Sequence, residues 1–323
     1  MIISRTPLRI SLGGGGTDLP TFYKKENGFV ISASIDKYIY LSVNTNLTNE
    51  IFIRYSKNEK VKELSLLKHD LFRETLKFFK IKNNIEITSL ADIQSGTGLG
   101  SSGAFTVGLV NALKELKKLK LNKSHIASIA CNIEMDILNR GGGKQDQFAT
   151  SYGGITYQTY LRNEKVKISK PKISVEKLKE FSKNLLLFYT GRTRNASNIL
   201  NAQNSSNKNL NVYKNLIGTK KIGYQVKKIL EEGDFKSYGE ILNSHWQLKR
   251  KRADKMTNRR IDELYNLGIN NGAIGGKLVG AGSGGFFLFY ANDKKKLKRT
   301  MANNNISELE FKFEFEGTKI LNV

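Results

Sequence analysis

The sequence has one cysteine, three prolines and one tryptophan among its 323 residues. A lone Cys131 cannot form an intramolecular disulfide, which excludes a disulfide-stabilised scaffold. The beginning, MIISRTPLRISL, lacks the basic head and the apolar stretch of a secretory signal. The apolar runs at 185–189 and 286–291 fall far short of the roughly 20 residues that a membrane-spanning helix needs. We therefore expect a cytoplasmic protein with no membrane partner.

Negative charge is also scarce, because 53 Lys and Arg stand against 29 Asp and Glu, for a formal net charge of +24. Such an excess favours anionic partners, which could be nucleic acids, phosphorylated metabolites or acidic membranes. A basic nucleic-acid-binding protein is one interpretation. Against it, the positive charge is spread along the chain, and zinc, homeodomain and RNP patterns are absent. We therefore expect no nucleic acid partner.

Apolar residues make up 39% of the chain, which is enough for a large core and two domains. Alternating apolar residues in the first 90 positions predict a mostly antiparallel sheet. Three-and-four spacing predicts helices over 62–79, 102–119 and 124–138, with Ser124 capping the third. Helix and strand patterns continue to the end of the chain. The sequence therefore predicts an α+β protein with domains at 1–180 and 181–323.

Glycine, by contrast, is plentiful, and most of the 29 glycines fall in a few tight clusters. The strongest cluster lies between a predicted strand and a predicted helix and reads Asp92-Ile-Gln-Ser-Gly-Thr-Gly-Leu-Gly-Ser-Ser-Gly103. Small residues let successive backbone N–H groups converge on an oxyanion, and the helix that follows adds the positive end of its dipole. The cluster therefore predicts a phosphate-binding loop.

Two widespread phosphate motifs do not fit. Gly98–Gly103 and Gly280–Gly285 both satisfy GxGxxG, but neither has the strand, helix and acidic strand end of a dinucleotide fold. The Walker pattern GxxxxGK[ST] is absent from the sequence. A Rossmann enzyme and an ordinary P-loop NTPase are thus both disfavoured.

Three separated motifs together resemble the GHMP small-molecule kinases, which include galactokinase, homoserine kinase and mevalonate kinase. The motifs are PLRISLGGGGTD (7–18), GLGSSG (98–103) and KLVGAGSGG (277–285). The resemblance spans nearly the whole chain. It implies a ribosomal-protein-like N-terminal domain with a left-handed βαβ crossover and a ferredoxin-like C-terminal domain. The phosphate loop departs from the family at Gln94, where Pro is usual, and at Gly103, where Ala is usual.

Within the family, the segments RTPLRISLGGGGTDLP, SASIDKYIY, GGGKQDQFATSYGG and FYTGRTR look most like the D-glycero-D-manno-heptose 7-phosphate kinases. That resemblance implies an ATP- and Mg²⁺-dependent enzyme that phosphorylates the anomeric hydroxyl of a phosphorylated sugar. The product would be a 1,7-bisphosphate on the way to nucleotide-activated heptose for surface polysaccharide. L-fucokinase, or another hexose kinase of the family, is the alternative.

The resemblance also implies roles for individual residues. Asp146 matches the family's base, and Arg9 matches an arginine beside it, although Asp146 could instead only stabilise a helix N-terminus. Ser102 and Glu134 match the magnesium ligands, although Glu134 could be an exposed helix charge. The nucleotide-binding residues are expected to be Gly96, Thr97, Gly98, Leu99, Gly100, Ser101 and Ser102.

The acceptor side is predicted from two further segments. Residues Gly15, Gly16, Thr17 and Asp18 correspond to the segment that contacts sugar hydroxyls in galactokinases. The glycines replace larger side chains there and would widen the site. Arg192 and Arg194 are candidates for gripping a distal phosphate, with an ordinary surface loop as the alternative. Lys144 could neutralise phosphate charge or be a solvated loop lysine.

Overall fold

The protein, as a computed structural model, is described over residues 1–192, 210–252 and 256–322. Its strands are β1 (Ile2–Gly13), β2 (Gly28–Thr45), β3 (Ile51–Arg54), β4 (Asn58–Val61), β5 (Ile85–Ala91), β6 (Ile155–Tyr160), β7 (Val166–Ser169), β8 (Leu185–Tyr189), β9 (Ala273–Leu278), β10 (Phe286–Ala291), β11 (Glu308–Leu309) and β12 (Lys319–Leu321). Its helices are α1 (Pro20–Tyr23), α2 (Asp70–Phe78), α3 (Ser101–Leu116), α4 (Lys123–Cys131), α5 (Gln145–Tyr152), α6 (Val175–Lys183), α7 (Leu210–Glu232), α8 (Phe235–Arg250), α9 (Arg259–Asn270) and α10 (Lys294–Asn303). No described helix is both long enough and apolar enough to span a bilayer. The elements confirm the predicted α+β class.

The first sheet is mostly antiparallel and is organised around β2. Its order is β12-β1-β2-β5-β3-β4. Strand β6 also pairs with β2, and β7 pairs with β6. Because β2 is 18 residues long, its two ends pair with different strands on the same edge: residues 28–33 pair with β6 and residues 39–45 pair with β5. β3 and β5 run parallel, with α2 between them in the chain. The long strand therefore holds the whole first sheet together.

Helix α3 lies at the centre of the first half of the molecule. Its residues from Gly103 to Leu113 are all buried, as expected of a helix with few polar side chains. Val107 and Val110 share one core with Leu8 and Ile10 of β1. Because α3 begins directly after the phosphate loop, this packing fixes the end of the loop against the first sheet.

The second sheet has the order β11-β8-β10-β9 and packs against α8 and α9. Every residue of β10 is buried. Trp246 of α8 is fully buried, with its ring centroid 5.4 Å from that of Phe287 in β10. Asn243 of α8 donates to the Ile274 carbonyl of β9 at 2.9 Å. These contacts hold α8 along β9, and the ends of both elements reach the site described below.

The bounds of two predicted helices differ from those in the structure. The predicted helix over 62–79 is a 3₁₀ turn at Leu64–Leu66 followed by α2. The N-cap of α4 is Asn122, whose side chain accepts from the His125 N–H, so the prediction of Ser124 is wrong. After α4 the chain continues as a π-helix at Asn132–Ile137, a form that is rare and often found at functional sites.

Helix α6 and the pairing of strand β12 with β1 were not predicted. Helix α6 lies in a lysine-rich stretch and begins at Ser174, whose hydroxyl accepts from the Lys177 N–H. Strand β12 returns from the end of the chain to pair with β1 in the first sheet. The change from the first sheet to the second lies between β7 and β8. The division at 1–180 and 181–323 stays a proposal, and β12 crosses it.

Candidate active site

A cavity of about 1160 Å³ lies where the phosphate loop, β1, α5, α8 and β9 meet. Both halves of the molecule thus contribute to its wall. The sequence-predicted residues that line it are Arg9, Gly15, Gly16, Asp18, Gly96, Gly98, Gly100, Ser101, Ser102, Glu134 and Asp146. The structure therefore brings residues from several distant segments together around one space.

The phosphate loop owes its shape to three glycines. Gly96, Gly98 and Gly100 have φ angles of 79°, 86° and 78°, a left-handed conformation that glycine adopts without strain. Gly100 is the N-cap of α3, so the loop leads straight into the helix N-terminus. All three glycines line the cavity. The loop thus presents backbone to the cavity, as a phosphate site requires.

Two residues of the predicted nucleotide site face elsewhere. Thr97 is buried, and its hydroxyl donates to the Gln94 carbonyl at 3.1 Å. Leu99 is fully buried in the core. Neither side chain lines the cavity, because alternate residues of the loop anchor it to the protein. Any contact of these two residues with a nucleotide would have to come from their backbone.

An ion pair between Arg9 and Asp146 lies beside the loop. Arg9 Nε and Nη2 lie 2.7 and 2.6 Å from Asp146 Oδ1, and Arg9 Nη1 donates to the Gly98 carbonyl at 2.6 Å. The arginine is 5% exposed, whereas the Asp146 side chain keeps 28% of its surface accessible. One guanidinium therefore joins β1, the phosphate loop and the first turn of α5, and leaves the carboxylate open to the cavity.

Gly103 explains how α3 approaches that carboxylate so closely. A Cβ at this position would lie 2.6 Å from the Cβ of Asp146, nearer than real Cβ atoms come to another atom. Glycine is therefore required for the packing of α3 against α5. From the sequence alone, Gly103 was only a departure from the alanine that is usual in the family.

Glu134 lies on the π-helix and is buried against the start of α3. Its Oε2 accepts from Ser102 Oγ at 2.6 Å, and its Oε1 accepts from Gln147 Nε2 at 2.8 Å. Burial raises the pKa of the Glu134 carboxyl above its ordinary value, and the hydrogen bonds from Ser102 and Gln147 oppose that shift. The structure thus sets a carboxylate and a hydroxyl oxygen side by side at the phosphate loop. An exposed helix charge, the alternative for Glu134, is excluded.

Arg140 is a cavity residue that the sequence analysis missed. Its Nη2 lies 2.7 and 2.8 Å from the two carboxylate oxygens of Asp70, and its Nη1 donates to Ser102 Oγ at 3.4 Å. The Arg140 hydrogen bond lowers the pKa of Asp70, against the opposing effect of burial. Position alone could have suggested Arg140, because it directly precedes the glycine cluster at 141–143.

Asp18 occupies the other side of the cavity. Its Oδ1 accepts from the Gly16 N–H at 3.0 Å and its Oδ2 from the Gln145 N–H at 3.1 Å. Burial, with the nearby charge of Asp146, raises the pKa of this carboxyl. A Cβ at Gly143 would overlap Asp18 Oδ2, so that glycine makes room for the carboxylate. Asp18 is therefore held rigidly between β1 and α5.

Two further predicted residues, Thr17 and Lys144, are not part of the cavity wall. Thr17 is buried, and its hydroxyl donates to the carbonyls of Gly14 and Phe29, which makes it a structural residue. The prediction for Lys144 is wrong: its ammonium donates to the Glu164 carbonyl at 3.1 Å and lies 5.1 Å from the centre of the Tyr23 ring.

Of the two predicted distal-phosphate residues, the structure describes Arg192, which does not reach the cavity. Arg192 is exposed and does not line the cavity, while its carbonyl accepts from the Gly285 N–H at 3.0 Å. Its position is fixed by this backbone contact at the end of β8. Arg194 lies outside the described residues.

Basic residues instead reach the cavity from the second half of the chain. Four buried ones line it: His245, Lys249, Arg252 and Lys277. None of the four was predicted from the sequence as a site residue. Lys277 is the first residue of the third GHMP-like motif, and this position was the signal in the sequence that could have marked it as a site residue.

Two family profiles match the chain. Residues 65–154 match the GHMP kinases N terminal domain, and residues 226–307 match the GHMP kinases C terminal. Together they cover more than half of the chain, in that order. The first includes the phosphate loop, Glu134 and Asp146, and the second includes the third motif.

Individual proteins are similar over almost the whole chain. The D-glycero-alpha-D-manno-heptose 7-phosphate kinase of Campylobacter jejuni is 29% identical, with 98% of each chain covered. The bifunctional fucokinase/GDP-fucose pyrophosphorylase of Arabidopsis thaliana is 24% identical over 90% of this chain and 30% of its own length. A solved D-glycero-D-manno-heptose 1-phosphate kinase from Bacteroides thetaiotaomicron has a TM-score of 0.82 at 24% identity, with 100% of this chain and 99% of that chain covered. The last similarity shows a common fold.

Proposed function

Since this chain belongs to the GHMP kinases, we propose that it transfers the γ-phosphoryl group of ATP to the anomeric hydroxyl of D-glycero-D-manno-heptose 7-phosphate. The observation that carries the proposal is the Arg9–Asp146 ion pair, which sets an accessible carboxylate between the phosphate loop and Asp18. The similarity to a heptose 7-phosphate kinase over 98% of both chains supports the choice of acceptor.

The step needs an oriented hydroxyl and a proton acceptor. The sugar O1 forms a bond to the γ-phosphorus while the bond from that phosphorus to the β,γ-bridging oxygen breaks. ADP leaves with the electron pair of the broken bond. Asp146 accepts the proton of the sugar hydroxyl and releases it to solvent after ADP leaves. Arg9 keeps the carboxylate in place and, through Gly98, couples its position to that of the phosphate loop.

Ser102 and Glu134 fit a magnesium ion. Their oxygens lie 2.6 Å apart beside the phosphate loop, and Gln147 holds the second carboxylate oxygen in place. Mg²⁺ is usually held by one or two protein oxygens together with substrate phosphates and water. Among the described residues, no group of three His, Cys, Asp or Glu side chains could hold a metal ion. The oxygens of Ser102 and Glu134 would therefore share the ion with phosphate oxygens of the nucleotide. When bound, the ion neutralises negative charge on the β- and γ-phosphates.

A hexose without a phosphate is the second candidate acceptor, because the chain is similar to a fucokinase over 90% of its length. The two candidates differ in one chemical group, the distal phosphate. The relatives' names also place the phosphate already on the heptose at different carbons, C7 in one and C1 in the other. The acceptor therefore has to be identified by turnover.

The test is release of ADP with ATP and Mg²⁺ over a panel of acceptors. The panel contains heptose 7-phosphate, heptose 1-phosphate, mannose 6-phosphate, sedoheptulose 7-phosphate, fucose, galactose and mevalonate. We expect turnover with heptose 7-phosphate to exceed that with every other compound. Preference for fucose or galactose would replace the acceptor and keep the kinase, and preference for heptose 1-phosphate would reverse the order of the two phosphorylations.

A further inference from the structure

The four buried basic residues of the second half form one group on the cavity wall, which we call the basic cluster: His245 and Lys249 on α8, Arg252 just after it and Lys277 on β9. Their exposed fractions are 2%, 7%, 3% and 2%. Lysine and arginine are almost never buried to this extent unless a partner compensates their charge. The burial of Arg252 and Lys277 therefore has to be explained by what these two side chains face.

Neutral groups of the protein hold these side chains in position. Lys249 Nζ donates to the carbonyls of Leu278 and Gly280 at 2.7 and 2.5 Å. Lys277 Nζ lies 3.2 Å from His245 Nδ1. These contacts orient the two ammonium groups, and the imidazole of His245 brings no negative charge to Lys277.

Arg252 is held in the same way. Its Nη1 donates to the Gly15 carbonyl at 2.8 Å, and its Nη2 donates to Thr219 Oγ1 at 2.7 Å. Its Nε is buried and has no hydrogen-bond partner among the described residues. Neither Arg252 nor Lys277 has a carboxylate within ion-pair distance in the part of the chain that the structure describes.

The positive charges oppose one another. Burial, with the charges of Arg252 and Arg9, lowers the pKa of Lys277 well below its ordinary value. Burial lowers the pKa of Arg252 to about 10, with Asp18 opposing the shift. An anion in the cavity would relieve this repulsion, because a buried charge is tolerated when it is paired and hydrogen-bonded.

The position of the basic cluster indicates which anion. Arg252 contacts Gly15, in the segment that carries Asp18, and so lies beside the segment predicted to bind the acceptor. The phosphates of ATP have their own loop at residues 96–102. An acceptor whose hydroxyl lies at Asp146 would extend its far end toward the basic cluster.

We propose that the basic cluster binds a phosphate monoester carried by the acceptor, at the end remote from the reacting hydroxyl. The proposal rests on the proposed function, since it takes the cavity to be that of a sugar kinase. A phosphate monoester carries up to two negative charges and several acceptor oxygens, which suits several cationic donors better than a single carboxylate does. It assigns this group to residues other than Arg192, which does not line the cavity.

Binding is tested without any turnover. The probe is inorganic phosphate, titrated by calorimetry into the full-length protein that a non-hydrolysable ATP analogue and Mg²⁺ already saturate, so that the phosphate loop is filled. The variants are Lys277→Met and Lys249→Met, and the control is Lys236→Met, an exposed lysine of α8. We expect phosphate to bind the wild type and the control equally, and about 10-fold or more weakly to both cluster variants.

Two results overturn the proposal. One is a wild-type protein that binds no phosphate when its nucleotide site is full. The other is equal binding by the wild type and the cluster variants. Two separate lysines are tested so that one misfolded variant does not decide the matter, and thermal unfolding shows which variants are folded.

Kinetics then separate this proposal from the proposed function. With heptose 7-phosphate, Lys277→Met should raise KM by about 10-fold or more and should lower kcat/KM by a larger factor than it does with unphosphorylated heptose, whereas Lys236→Met should change neither. Equal losses with both acceptors would overturn the phosphate site and leave the kinase intact. A wild type that binds phosphate but phosphorylates no sugar would overturn the proposed function and leave the anion site standing.

Discussion

Arg9 and Asp146, which are 137 positions apart, meet in an ion pair with two nitrogens of the guanidinium 2.6 and 2.7 Å from one carboxylate oxygen. The third nitrogen of Arg9 donates to the Gly98 carbonyl in the phosphate loop. The same side chain therefore contacts both the proposed proton acceptor and the loop that we propose binds the phosphates. A displacement of Asp146 would therefore move Arg9 and, through Arg9, the Gly98 carbonyl.

Replacing Asp146 by Asn should remove the proton acceptor and keep the shape of the site. We expect kcat to fall by about 10²–10⁴. ATP affinity should stay within about 2-fold, because the phosphate loop is built on α3 and Arg9 can still donate to Gly98. Steady-state ADP release and equilibrium binding of ATP measure the two quantities. Unchanged turnover would rule out Asp146 as the base.

Adding one methyl group at Gly103 should displace Asp146, because the new Cβ would lie 2.6 Å from the Cβ of Asp146. A misplacement of about 1 Å can cost up to about 10²-fold in rate, so we expect kcat for Gly103→Ala to fall at least 10-fold. The control is Gly218→Ala on α7, where the new Cβ would meet only the Leu248 side chain. Equal activity of both variants would show that α3 and α5 can move apart without loss.

Glu134→Gln should weaken the use of magnesium, since it removes the charge of a buried carboxylate that lies 2.6 Å from Ser102 Oγ. We expect the Mg²⁺ concentration for half-maximal rate to rise by about 10-fold or more. The matched control is Asp136→Asn, which removes an exposed carboxylate from the same π-helix. A magnesium titration of ADP release that does not distinguish the two variants would contradict the metal assignment.

His245 should make the protein sensitive to acid. Burial, with the charge of Lys277 nearby, lowers the pKa of the His245 imidazole well below its ordinary value. An unfolded histidine binds a proton near pH 6.5, so below that pH the unfolded state binds more protons and becomes favoured. The contribution is at most about 1.4 kcal/mol per pH unit.

The measurement is urea unfolding at pH 7, 6 and 5. We expect the free energy of unfolding to fall less steeply with acid in His245→Gln than in the wild type. His125→Gln, which alters an exposed histidine at the start of α4, should keep the wild-type slope. Identical slopes for all three proteins would show that His245 takes up no proton on unfolding.

The sequence predicted the parts of the site that are encoded in short contiguous motifs. The glycines of the phosphate loop need left-handed backbone, which few other residues tolerate, so the loop can be recognised from a single sequence. Arg9, Asp18 and Asp146 could be placed because each lies within a segment that resembles the family. Lys144 shows the limit, because a side chain's direction depends on the contact it finds, here the Glu164 carbonyl.

The basic cluster could not be predicted in this way. Lys249 and Arg252 belong to a run of basic residues, Lys-Arg-Lys-Arg at 249–252, that reads as the solvated end of a helix. Their burial depends on where the end of α8 packs against Gly15, Gly280 and Thr219, which come from distant parts of the chain. Strand β12 was missed as a member of the first sheet for the same reason, since its partner β1 is at the other end of the chain.

The central claim is tested most directly by the structure of the reaction product. Heptose 7-phosphate would be incubated with the wild-type protein, ATP and Mg²⁺, and the product examined by ³¹P NMR with coupling to the sugar protons. We predict a second phosphate coupled to the anomeric proton, formed in a one-to-one ratio with ADP and lost in Asp146→Asn. A new phosphate on any other carbon, or ADP formed without a phosphorylated sugar, would contradict the account.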